Sequence, residues 1–402
     1  MTAARGTLDV AVVGGGPAGA ALATLLARRG RRVVVLERAP AWRWRACGVF
    51  TSPASVAALR RLGLEAATID AVARPVPAMR VETARGTTFR LTYGDDGALR
   101  APAVGFDRSA LDPAMLRLAA VAGADVREGT AVTSVEPGRL TVREGASESV
   151  VDAKVVVGAD GIRSVVARAF GVDRAARLAP RTGLTFHVED PEPRAPRDAR
   201  MIVFDGGYVG LAPVPGGRVN VGIVLGRSWS GRLARDGAAT TTLRVLAAVP
   251  RADDDPIDWT QPVRCDPIEG AAPLGHRASR RHGPGWVLVG DAAGFLDPFT
   301  GEGLHRALVS AELAATAIDR HLHGEAAALA GYDGAMNARF RSKDAVSVLV
   351  QAFLSRPRTF EYAARRIAAR DGVRETMGRV MGDLVPASRG LDPRFLAALL
   401  RP

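Results

Sequence analysis

Lysine is nearly missing from this 402-residue chain. Lys154 and Lys343 are its only two, so the excess of 54 basic over 42 acidic side chains is almost wholly arginine. These arginines are spread along the chain, with no dense basic block and no recognisable nucleic-acid module. Despite a net charge of +12, nucleic acid is therefore not an expected partner. Together with heavy alanine usage, the bias reads as the coding habit of a GC-rich genome. Cysteine is just as scarce. Cys47 and Cys265 are too few for a disulfide framework and too far apart for a zinc site, so no metal centre is expected and a reducing compartment fits. No apolar run is long enough to span a bilayer, and the first residues, "MTAARGTLDV", lack the apolar core of a signal peptide. A cytoplasmic location without membrane contact is the expectation. Repeats and low-complexity tracts are absent too. What is left is an ordinary globular composition, 47% hydrophobic and 24% charged, with length for two or three domains.

The first informative stretch is "LDVAVVGGGPAGAALATLLARRGRRVVVLER". It reads as a buried strand (8–13), a glycine turn, a helix with small residues facing the strand (20–29) and a second strand (32–36). Gly14, Gly16 and Gly19 form G-x-G-x-x-G, and Glu37 ends the second strand 23 positions after Gly14. These are the parts of a dinucleotide site: a tight turn, a helix N-terminus for pyrophosphate and a carboxylate for ribose hydroxyls.

Further on, a loop holding "RACGVF" leads to a helix that Ser52 or Ser55 can cap, and "MRVETARGTTFRLTYGD" alternates like a hairpin. Residues 131–150 read as a small antiparallel excursion, and "AKVVVGADGIRSVVARAFG" as strand, turn and helix. From Thr182 to about Pro273 the pattern turns all-β, with "PGG" a tight turn between two strands. "WVLV" then leads into "GDAAGFLDPFTGEG" and a helix, and everything beyond Leu304 looks helical. The final Arg-rich helices are amphipathic, a pattern for packing or a dimer contact, with membrane-surface docking as the alternative.

Three ordered blocks, "GGGPAG…LER", "GADGIRSVVAR" and "GDAAGFLDPFTGEG", resemble the FAD-dependent oxidoreductases of the aromatic-hydroxylase type, including geranylgeranyl reductases and flavin halogenases. "RSALDPAMLRLA" is a fourth point of similarity, and the resemblance covers roughly residues 8 to 330. It implies an α/β fold: a Rossmann-like FAD-binding domain (1–75, 101–178 and 274–330), an inserted antiparallel β-sheet substrate domain (76–100 and 179–273) and a helical C-terminus (331–402). It also implies FAD contacts from Gly14, Gly16, Ala18, Gly19, Glu37 and Arg38, and from Arg108 on the pyrophosphate side. Asp160 and Arg163 come near FAD and the route of a nicotinamide cofactor. Asp291 would hold the ribityl chain, while Thr300, Gly301, Glu302 and Gly303 direct a helix N-terminus at the flavin's N1–C2=O edge. Pro298 walls the ring and, with Gly301, Gly303 and Cys47, makes up the expected catalytic set. Other uses stay open: Asp291 can cap its turn, Arg108 can pair with Asp107 or Asp112, and Cys47 can be a small buried residue.

With no second G-x-G-x-x-G, NAD(P)H would bind transiently, or a partner flavin reductase would supply reduced flavin. Halogenation does not fit, because no lysine precedes Lys154 and the halogenase tryptophan motif is absent. "RACGVF" is similar to the Cys-Gly-Gly loop of geranylgeranyl reductases but carries Val49 at the second glycine. The reading favoured at this level is a monooxygenase that uses O2 to hydroxylate or epoxidise a hydrophobic aromatic, polyketide-like or isoprenoid metabolite. Reduction of carbon–carbon double bonds is the alternative, and a binding protein on the same fold the third. Phe186, His187, Tyr208 and Leu211 are the candidate substrate contacts, His187 and Tyr208 doubling as possible satisfied sheet residues.

Overall fold

A computed structural model of the chain describes residues 7–93, 102–175, 180–250 and 255–401. The domain limits placed at 100/101 and 178 lie outside these residues. Val10–Val13 and Val33–Glu37 are apolar almost throughout and buried, as strands covered on both faces must be. They form the middle of a sheet ordered His282–Gly283, Trp286–Leu288, Ser147–Gly158, Leu8–Val13, Val33–Glu37 and Asp125–Glu128. All its pairings are parallel except the hairpin joining His282–Gly283 to Trp286–Leu288. The expected antiparallel excursion is present as Thr130–Glu136 and Arg139–Glu144, laid onto the start of Ser147–Gly158.

On one face of this sheet the helices Pro17–Ala27, Arg108–Val121 and Gly303–Leu322 share a core that includes Leu22, Leu26, Met115, Leu308 and Ile318. Tyr332, Met336 and Phe340 of the helix Ala328–Leu354 lie in the same core. The core built on the first sheet therefore runs past residue 330, into the first half of that helix.

The second sheet has seven strands in the order Glu269–Leu274, Arg181–Glu189, Arg218–Leu225, Gly207–Val214, Ala199–Phe204, Ala78–Thr83 and Thr88–Thr92. Its "PGG" turn pairs Val214 with Arg218 and puts Gly216 and Gly217 at φ of 78° and 66°, which suits glycine. The expectation of an all-β segment from Thr182 to Pro273 needs correction: Ser230–Leu246 is helical, interrupted at Gly237 with φ 76°. That helix, with Ile257 and Trp259, covers one face of the sheet, here termed outer, and buries Leu184, Phe186, Val209 and Leu211. The other, inner face meets the helices Pro357–Ala369 and Asp371–Met381, whose Ala363, Ala364, Ile367 and Val373 pack on Val81, Phe89 and Leu91. The Arg-rich C-terminal helices thus spend their apolar faces on the sheet. Among the described residues no helix is long and apolar enough to cross a membrane.

Candidate active site

The helix Pro17–Ala27 starts with Gly16 as its N-cap and has no side-chain cap, so its first N–H groups are unspent. Gly14, at φ 104°, and Gly19 are packed too tightly for any side chain: a Cβ would lie 2.6 Å from the Ala159 carbonyl oxygen and 2.0 Å from that of Gly14. A Cβ on Gly16 would meet nothing within 4 Å. Tight turn and open helix N-terminus are the cradle a pyrophosphate needs. Glu37 accepts hydrogen bonds from the N–H groups of Gly15 (2.8 Å) and Ala39 (3.0 Å). These fix a buried carboxylate and leave each oxygen a further acceptor position. Arg38 is exposed at the strand end. Ala18 is buried, and a Cβ on Gly290 would meet its methyl at 2.8 Å. Its small size lets the first and third blocks touch.

Asp160 accepts from the Val165 N–H at 2.6 Å through one oxygen, while the other is buried with no partner. Burial pushes its carboxyl upward. Arg163 instead donates to the Ala272 carbonyl at 2.9 Å, tying the block to the second sheet. Arg108 makes a bidentate pair with Asp112 at 2.6 and 2.9 Å and donates to the Gly48 carbonyl at 2.7 Å. The pairing with Asp112 left open by the sequence is thus the one formed. Its effect is to anchor the Cys47–Gly48 loop.

Cys47 sits among the charges of Arg108, Asp112, Arg45 and Asp291, and burial pushes its thiol up to about 11. The Asp291 carboxylate has no hydrogen-bond partner among the described residues; burial raises its pKa, opposed by Arg306, Arg108 and His276. A half-buried carboxylate without a partner fits a ribityl hydroxyl. Gly301, at φ 66°, lies against Phe50, where a Cβ would approach the ring to 2.7 Å, whereas Gly303 is open. The helix Gly303–Leu322 has Glu302 as its N-cap with no side-chain bond, a second open N-terminus. Thr300 is buried and Pro298 opens the short 3-10 turn before it.

Sequence reading missed the groups that brace this loop. Asp297 accepts from the Phe299 N–H (3.0 Å), the Tyr208 hydroxyl (2.5 Å) and Arg181 (3.1 Å), joining loop to sheet. Its position before Pro298 was the available signal. Lys343 lies 3.5 Å from Glu302 and donates to Asp383 (2.7 Å) and the Val380 carbonyl. Asp383 also accepts from Ser52 at 2.9 Å, so Ser52 serves this cluster rather than capping its helix with its side chain. His305, 3.5 Å from Asp383 and 3.0 Å from Arg339, is pushed down to about 4 by burial, with Arg339 and Lys343 adding to the effect and Asp383 opposing it.

Of the four expected substrate contacts, Tyr208 and His187 are on the inner face, where Asp297 and Trp44 lie. Phe186 and Leu211 are not: alternation turns them outward into the core beneath Ser230–Leu246, on the face away from Asp297 and Trp44. No group of residues that could hold a metal ion occurs among the described residues.

The family described as FAD binding domain matches residues 7–339. A menaquinone reductase of Mycolicibacterium smegmatis is 30% identical over 332 residues, covering 76% of this chain and 75% of that protein. Among solved structures, the flavin-dependent brominase Bmp2 aligns over 98% of each chain with TM-score 0.79 and 20% identity. PqsL, a probable FAD-dependent monooxygenase from Pseudomonas aeruginosa, aligns over 88% of this chain and 98% of its own, with TM-score 0.68 and 23% identity.

The Glu37 geometry gives a direct test. Glu37→Ala is expected to weaken FAD binding tenfold or more, since a charge-assisted hydrogen bond contributes about 1.5–3 kcal/mol. Titration of apoprotein with FAD measures it; an unchanged Kd would take the adenosine ribose away from this strand end.

Proposed function

Because this chain belongs to the FAD binding domain family, and is an FAD-dependent oxidoreductase, we propose that it reduces a carbon–carbon double bond in a hydrophobic, isoprenoid-type small molecule. The residues that would hold FAD are Gly16 and Glu37 on the adenosine side and Asp291 with the open helix N-terminus at Gly303 on the flavin side. When bound, FAD supplies the electrons. The carrying observation is Cys47, whose thiol keeps its proton through neutral pH beside Arg108 and Asp291. Saturating a double bond needs a proton at one carbon, and a thiol this weak yields its proton only to a strongly basic centre such as a carbon gaining charge. The 30% identity to a menaquinone reductase supports the same reading. NAD(P)H, bound transiently, is the proposed electron source, with a partner flavin reductase as the alternative supply.

The second reading is oxygenation with O2 as co-substrate, the one the sequence alone favours. It asks for a dry, orienting pocket rather than a proton donor, and the apolar inner sheet face supports it, as does the likeness in fold to PqsL. Halogenation gains nothing from either lysine: Lys154 pairs with Asp9 and Lys343 is tied to Asp383.

Product mass separates the two. Chemically reduced holoenzyme is incubated under nitrogen with a prenylated naphthoquinone, and the product is re-oxidised before analysis so that only side-chain changes count. A product heavier by two hydrogens is expected. No product under nitrogen, but one heavier by an oxygen atom in air, would overturn the reductase reading in favour of the oxygenase.

A further inference from the structure

His187 lies on the inner face of Arg181–Glu189, with Nδ1 2.6 Å from Asp266, whose other oxygen accepts the His187 backbone N–H at 2.8 Å. An ionised Asp266 accepts from Nδ1, which fixes the hydrogen there and leaves a lone pair on Nε2. Nε2 has no hydrogen-bond partner among the described residues. The Trp44 ring tilts over the imidazole with centroids 4.4 Å apart, and Trp42 follows at 6.4 Å from Trp44. Both indole N–H groups are buried without a partner. From this corner the inner face runs toward Asp297 over Gly210, Ala212 and Gly222. A Cβ on Gly222 would meet nothing within 3.8 Å, and one on Gly210 nothing within 3.5 Å. The strand from His187 back to Arg181, which holds Asp297, spans roughly 20 Å.

We propose that His187 and Asp266, with Trp44 and Trp42, form the polar end of the substrate site and bind an aromatic ring bearing a hydroxyl group. The imidazole accepts the hydroxyl's hydrogen, the indoles flank the ring, and their N–H groups serve a second oxygen on it. The glycine floor takes the apolar remainder of the molecule toward the flavin loop. Besides Asp266, the charged groups facing His187 are Arg218 and Asp107, which pair with each other at 2.8 Å. Burial, aided by Arg218 and opposed by Asp266 and Asp107, holds the imidazole below its ordinary value, so the acceptor is present at neutral pH. The inference rests on reading the inner sheet face as the substrate side.

The test is binding without turnover, so it stands apart from the product experiment. FAD-loaded, oxidised enzyme is titrated with 2-naphthol and with 2-methoxynaphthalene, its counterpart without a donor, following protein and flavin fluorescence. A preference of roughly tenfold for the naphthol is expected, the scale of one hydrogen bond. His187→Phe should abolish that preference and Asp266→Asn reduce it, both leaving the ether's affinity in place as proof of an intact site. The preference should also fade as pH falls through the lowered imidazole value, where Nε2 gains a proton. Equal affinities in the wild type, binding of neither probe, or a preference that survives His187→Phe would each overturn the assignment. Failure to saturate a double bond while this preference holds would instead count against the reductase chemistry alone.

Discussion

Cys47→Ser is expected to lower product formation roughly 100-fold, the scale of general acid catalysis, while reduction of bound FAD by NAD(P)H keeps its wild-type rate. A serine hydroxyl fills the same space but is a far weaker acid, so only the proton delivery is lost. Steady-state product formation measured beside flavin reduction separates the two steps, and an unchanged melting temperature excludes a packing defect, since Arg108 holds this loop through the Gly48 carbonyl. Near-normal product formation would show that Cys47 supplies no proton and would return the weight to oxygenation.

The second large effect belongs to Lys343. Its ammonium faces the buried carboxylates Glu302 and Asp383, and Lys343→Met leaves both uncompensated. Breaking a buried pair from one side costs about 3–5 kcal/mol. The pH dependence follows from the two acids. Burial alone would raise Asp383, but Lys343, His305 and the hydrogen bonds outweigh it and hold the carboxyl below its ordinary value. Its contribution is thus present at neutral pH and lost as pH falls through that lowered value. Glu302 is pushed up by burial, with Lys343 only partly offsetting it, so its charged form is costly and the cost is relieved by acid. In the variant both groups are costly when charged. The stability gap to wild type should therefore be widest at neutral pH and narrow as acid protonates the two carboxylates. Urea unfolding of the FAD-loaded proteins at neutral and at acid pH measures it. A gap below about 1 kcal/mol at neutral pH would class these contacts with surface ion pairs.

What the sequence made legible was local. Strand, glycine turn and helix between Leu8 and Glu37 follow one another within a single stretch, so periodicity and the glycines at 14, 16 and 19 suffice. The loop from Gly290 to Gly303 was readable for the same reason. Lys343, Asp383 and Asp266 were not, because their meaning comes from partners tens to hundreds of residues away. The side of the sheet to which Phe186 and Leu211 turn was not legible for a different cause. Both faces of their sheet are buried, one under Ser230–Leu246 and the other under the C-terminal helices. Alternation then tells which residues share a face but not which face meets the ligand. Ser230–Leu246 itself was overlooked because Gly237 breaks its pattern.

The central sheet also sets the order in which the protein can come into being. Leu8–Val13 is laid between Val33–Glu37 and Ser147–Gly158, and Trp286–Leu288 joins only beyond the latter. The first helix is clasped by the late one, with Arg29 donating to the Ala315 carbonyl at 2.8 Å and Arg31 to Asp319 at 2.7 Å. Asp291 and the open N-terminus at Gly303 thus leave the ribosome long after the glycine turn they must face. Contacts of such long sequence separation form slowly and late. If Glu37 and Asp291 hold the two ends of FAD as proposed, a nascent chain carries the adenosine half of that site through most of synthesis without the flavin half, and capture of FAD would await the late segment rather than the first.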